Sequence, residues 1–138
     1  MADITVTAGS VALAAGTTAT RKNVTWGEAV TQGQSVYLKT DGKWWKADSN
    51  AAESAGSLGV GVALTKGSAD DPGIVITGGT LNLGATLTAG QPYFVSSTAG
   101  GICPAGDLSS TEYTTYLGTA TSASLINLGP HASGGVTA

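Results

Sequence analysis

The sequence predicts an all-β protein, and three observations predict it. Short runs rich in Thr, Val, Ile and aromatic residues lie between glycine-centred turns. Apolar residues alternate with polar ones, and no helical period is found. Finally, one stretch of the chain matches another 57 residues further on, as expected of a small sheet unit used twice. The 138 residues fit one compact domain. Charged residues make up 11% and hydrophobic ones 41%, which excludes global disorder, a state that needs high charge and low hydropathy. The 21 glycines follow no three-residue period, which excludes collagen.

Taken in chain order, the segment ITVTAGSVAL alternates without belonging to the repeat, so residues 1–19 are expected as an N-terminal extended arm or an added strand. The segment TRKNVTWGEAVTQGQSVYL, Thr20–Leu38, then falls on TGGTLNLGATLTAGQPYFV, Thr77–Val95. Thr20 meets Thr77, Gly27 meets Gly84, Thr31 meets Thr88, Gly33 meets Gly90 and Gln34 meets Gln91. Trp26 pairs with Leu83, Val30 with Leu87 and Tyr37 with Phe94, so apolar positions are kept between the identical ones. YLKTDGKWWKA reads as a hairpin with strands at about 35–40 and 43–47, because Asp41-Gly42 supplies the positive φ of a primed turn. A loose loop, DSNAAESAGS, leads into LGVGVALT, and DDPG turns the chain into GIVIT. With two extra residues in the second loop, Leu58-Gly59 is expected on Leu117-Gly118. The expected fold is a compact β-barrel or β-sandwich over residues 20–128, with repeat units at about 20–65 and 77–122. HASGGVTA has little to pack, so residues 129–138 are expected as a flexible C-terminal tail.

The same residues exclude several kinds of function. Six Lys and Arg against nine Asp and Glu give a net charge of -3, too few and too scattered cations to clasp a phosphate backbone. No apolar run approaches the roughly 20 residues of a membrane span, and no export signal is recognisable, so a soluble chain is expected. Cys103, the single cysteine, reads as a small side chain packed in a strand. His131 is the only histidine and lies in a Gly/Ser-rich stretch, which speaks against a catalytic triad. One His and one Cys cannot close a zinc shell, and Asp70-Asp71-Pro72-Gly73 reads as a turn rather than a cation site. Glu28, Asp48, Glu53, Asp107 and Glu112 are spread through loops and form no spaced pair. The sequence therefore predicts no enzyme, metal or cofactor.

Partner contacts are more readable. Trp44 and Trp45 are neighbours on a predicted strand and point to opposite faces, so one core cannot hold both; the second is expected under the chain's own loop, at a protein partner or against a sugar. The alternating positions Ile4, Val6, Val11 and Leu13 are the apolar side chains with which an N-terminal arm would add to a neighbouring sheet.

An apolar arm followed by GQSVYL, a DG hairpin, a small-residue loop and LGVGVAL, then by GQPYFV, TAGG and LGTATS, resembles the small capsid decoration or cement proteins of tailed bacteriophages. The likeness covers most of residues 20–128 and rests on turn and strand patterns. It implies a β-tulip-like all-β fold, often a homotrimer, on the outer surface of the virion and bound to the major capsid protein. The alternative is a carbohydrate- or receptor-binding β module of a head or tail fibre, in which Trp44 or Trp45 would stack on a sugar while Asp41, Lys43 and Asp48 hydrogen-bond it. A small β-fold enzyme is the third and remotest reading.

Overall fold

The computed structural model describes residues 3–4, 6–14, 18–51, 53–108 and 112–136. Ten strands form one antiparallel sheet curled into a half-barrel: β1 Ala12–Leu13, β2 Thr20–Thr25, β3 Ser35–Leu38, β4 Trp44–Lys46, β5 Val60–Ala63, β6 Pro72–Asn82, β7 Pro92–Val95, β8 Ile102–Pro104, β9 Tyr113–Ala120 and β10 Leu125–Val136. The path across it is β4-β3-β5-β6-β10-β9-β7-β8, with β1 and β2 pairing β6 off that path. The described residues contain no α-helix, only single 3-10 turns at Ala8–Ser10 and Ala105–Asp107.

Strand β6 organises the sheet. Its first part pairs with β2 through Thr25↔Pro72 to Arg21↔Ile76, and with β5 through Val62↔Ile76. Its last part pairs with β1 through Leu13↔Leu81, and with β10 through Ile126↔Leu81 and Leu128↔Gly79. The change of partners falls at Gly78-Gly79, where the register with β2 slips and Gly79 has φ +106°, a conformation that costs a residue without Cβ little. The sequence suggests a strand ending at 77 and a fresh one starting there; the glycines instead bend a single strand of 11 residues. Two leaves result. The first comprises β2, β3, β4, β5 and the start of β6; the second comprises the end of β6 with β1, β7, β8, β9 and β10.

The leaves meet over one core, in which Tyr37, Val62 and Ile76 of the first pack with Leu81, Leu83, Leu87, Tyr93, Leu117 and Ile126 of the second. A smaller core lies on the other side of the first leaf, where Trp26 and Val30 cover Val36, Trp44, Ala63 and Val75. This explains why β5, VGVA, is buried at every position: both of its faces are roofed, so alternation with polar residues is unnecessary. Strand β2 has most of its residues exposed, and its charged Arg21 and Lys22 suit a border strand that must not pair with strangers.

The tail expectation needs correction. Residues 129–136, read as flexible, belong to β10, where His131 pairs with Tyr116 and Val136 with Tyr113; residues 137–138 lie outside the described set. Main-chain pairing needs no apolar side chain, so a Gly/Ser-rich segment next to a hydrogen-bonding neighbour can still be a strand.

Candidate functional site

The N-terminal segment expected to reach a neighbour lies along its own chain. The amide of Ile4 donates to the carbonyl of Ile102 at 2.9 Å, and that of Thr7 to Gly84 at 3.1 Å. The Ser96 hydroxyl donates to the Asp3 carboxylate at 2.7 Å, which fixes the start of the segment to the β7–β8 turn. Ile4, Val11 and Leu13 rest on the main core, and the Val6 and Val11 side chains fill the space that a Cβ on Gly33 would take. Leu13 lies opposite Leu81 in the β1–β6 pair. Between this segment and the turns Thr31–Gln34 and Thr98–Gly101 is a shallow recess of about 260 Å³, lined by Ile4, Val6 and residues of both turns.

The tryptophans part as the strand geometry requires. Trp44 is 4% exposed and belongs to the small core with Trp26. Trp45 points the other way and is half-buried. Its indole N–H donates to the Asp41 carboxylate at 3.2 Å, the Lys39 ammonium lies 4.4 Å from the ring centroid, and Gly27 lies against the ring with no room for a side chain. Asp41 also accepts from the Lys43 amide at 2.8 Å, and the Lys43 ammonium pairs with Asp70 at 2.6 Å. That hydrogen bond, then the Asp70 charge, raises the Lys43 pKa above its ordinary value. Lys46 approaches Glu28 at 3.8 Å. Tyr37, opposite Trp45 in the β3–β4 pair, has its phenol pKa raised by burial first and by Glu53, Asp48, Glu28 and Asp41 after that.

The six expected contact residues therefore do not converge. Ile4, Val6, Val11 and Leu13 pack against the second leaf and the turn at Gly33, Trp44 lies in the small core, and Trp45 packs half-buried against the main core with Asp41 and Lys39 at its open side. Among the described residues no three of His, Cys, Asp and Glu come together as a metal site. Asp70 and Asp71 are used within their turn: Asp70, at φ +71°, pairs with Lys43, and Asp71 accepts from the Ser68 amide at 2.9 Å.

The reading of single motifs missed the outer face of the second leaf. Phe94 and Tyr116 sit opposite each other there and meet edge-on, with ring centroids 5.9 Å apart. The Tyr116 hydroxyl is hydrogen-bonded to that of Thr119, and His131 is the next residue in the same row. The alternation of Tyr93, Phe94 and Val95 carried the signal, since the two buried residues flank the half-buried one.

Neither a protein-family model nor a curated protein sequence matches this chain.

Proposed function

We propose that this protein is a non-enzymatic structural component of a tailed-phage virion, bound as a homotrimer to the major capsid protein on the outside of the head. The reading comes from the resemblance of the turn-and-strand pattern. The observation that best supports it is the continuous half-barrel sheet whose N-terminal segment is tied down at Asp3, Ile4 and Thr7. Such a construction resists fraying and proteolysis, which a coat component needs. Avidity across several shell subunits then supplies strength without any single deep site. The fibre-module alternative needs an open indole platform, and at Trp45 both Lys39 and Gly27 already occupy the ring.

The same reading takes the chain as two similar units. Strands β3 and β7 begin and end 57 residues apart, and Gly33 and Gly90 both have φ +84°. The β3–β4, β3–β5 and β5–β6 pairs have counterparts in β7–β8, β7–β9 and β9–β10. Gly61 lies opposite Val36 as Gly118 lies opposite Tyr93, so the spacing of 57 persists into β5 and β9, and it is Gly61 rather than Gly59 that corresponds to Gly118.

The test is the ratio of this chain to the major shell protein in purified particles, measured by quantitative mass spectrometry. A ratio near one is expected for a coat. A few copies per particle would favour the fibre module, and absence from particles would end the virion reading.

A further inference from the structure

Charge is distributed unevenly over this molecule. All six cations, Arg21, Lys22, Lys39, Lys43, Lys46 and Lys66, precede β6, and from Pro72 onward the only formally charged side chains are Asp107 and Glu112. Glu112 is buried, at 8% exposure. The outer face of the second leaf carries none. It is built in two rows, Pro92, Thr119 and Asn127 in one, and Phe94, Tyr116 and His131 in the other. Pro92, Asn127 and His131 are exposed and the other three half-buried, whereas the residues of the row between, Tyr93, Gly118 and Leu128, face the core. Beyond Leu128, β10 pairs with β9 on one side, and among the described residues no strand pairs with its other side.

We infer that this uncharged face of β7, β9 and β10 is where a second copy of the same chain seats. A closed assembly brings equivalent residues near its symmetry axis, so any formal charge there meets its own copies and repels them. The first leaf, with Lys39, Asp41, Lys43, Lys46, Asp70 and Glu28 on or near β3 and β4, fails that condition. The second-leaf face meets it, and its make-up of aromatic rings, Thr, Asn and His with no Lys or Glu is that of an interface centre rather than of ordinary surface. The inference deepens the proposed function, from which it takes the expectation of a multi-copy assembly.

The experiment measures molar mass by light scattering after size exclusion, on the full chain without shells, for wild type, Asn127→Lys and Leu58→Lys. Leu58 is 56% exposed and precedes β5, so it serves as the same charge added on the first leaf. Wild type and L58K are expected as one oligomer, while N127K has an apparent dissociation constant raised roughly tenfold or more. His131→Glu, in the neighbouring row, repeats the test if N127K does not unfold cooperatively. A monomeric wild type, or an oligomer broken by L58K and not by N127K or H131E, overturns the inference. Shell binding is assayed separately on the same samples. A wild type that binds shells as a monomer refutes the self-contact and leaves the coat reading standing; one that assembles but ignores shells does the reverse.

Discussion

The first leaf is roofed on both sides and the second on one. Where β3, β5 and β6 turn one face to the main core, the segment carrying Trp26 and Val30 covers the other and buries Val36, Trp44, Ala63 and Val75. The second leaf gives its inner face, Tyr93, Leu117, Ile126 and Leu128, to the main core and leaves Phe94 and Tyr116 half-covered outside. The chain's charges follow the same division, since the doubly roofed leaf bears the cations and the singly roofed one has almost none. The difference separates a leaf covered on both faces from one whose outer face is uncharged and only partly covered.

The comparison breaks most sharply at Trp26. This side chain has no exposure, is the largest fully buried one, and stands so close to Gly73 that a Cβ there would collide with the indole. Trp26→Ala removes the roof of the first leaf and is expected to cost about 3–5 kcal/mol in denaturant unfolding. Phe94→Ala on the second leaf, where the ring is already half in water, is expected to cost about 1–2 kcal/mol. Equal costs would mean that the two outer faces do not differ in the way described. The indole N–H of Trp26 finds no acceptor among the described residues, so Trp26→Phe should be milder than a buried tryptophan usually allows.

A finer probe asks whether the leaves share one plan. A Cβ on Gly61 would lie 2.5 Å from the Val75 side chain and 2.7 Å from the Ile76 carbonyl oxygen, and one on Gly118 would strike the carbonyl of Asn127. In both cases the obstacle includes backbone of the neighbouring strand, which a rotamer change cannot relieve. Gly61→Ala and Gly118→Ala should each cost about 1–3 kcal/mol, with similar sizes if the two glycines hold equivalent places. A large loss at one and none at the other, by thermal or denaturant unfolding, would count against the two-unit reading.

Legibility in the sequence followed the range of the interactions. The Asp41-Gly42 hairpin was readable because turn chemistry is local: β3 and β4 fall within the expected strands and Gly42 has φ +83°, although the turn is not the primed one expected, since Asp41 has no positive φ and the Gly42 amide donates to the Lys39 carbonyl. All-β character was readable because period and composition agree. Two features depended on distant partners and were hidden. Gly78-Gly79 punctuates the sequence like a turn, yet β2 and β5 hold the start of β6 while β1 and β10 hold its end, so the strand continues through. HASGGV has no side chain that announces a strand, and β9 alone makes it one. The candidate surfaces show the same limit. That Trp44 and Trp45 part company follows from the alternation of a strand, but that Trp44 is the buried one depends on Trp26, which lies 18 residues earlier and bridges to it. The uncharged face needed the pairing of β7, β9 and β10 before its two rows could be assembled.

The smallest expected effect concerns pH and again separates the leaves, because the carboxylates around Tyr37 lie on the first. Burial, and after it Glu53, Asp48, Glu28 and Asp41, raise the phenol pKa in the folded state. A group whose pKa is raised by folding holds its proton more tightly there. Its contribution is complete below the unfolded value of about 10 and is lost as pH climbs through the folded one. Lys43, raised by Asp70, acts in the same direction, but that pair lies at the surface and is open to solvent screening. Stability should therefore stay level through neutral pH and decline above about pH 10. Tyr37→Phe should flatten that decline with little change at pH 7, since the ring stays in the main core and only the ionising hydroxyl is removed. Denaturant midpoints measured from pH 7 to 11 check it, and a decline as steep in Y37F as in wild type would place the alkaline weakness outside Tyr37.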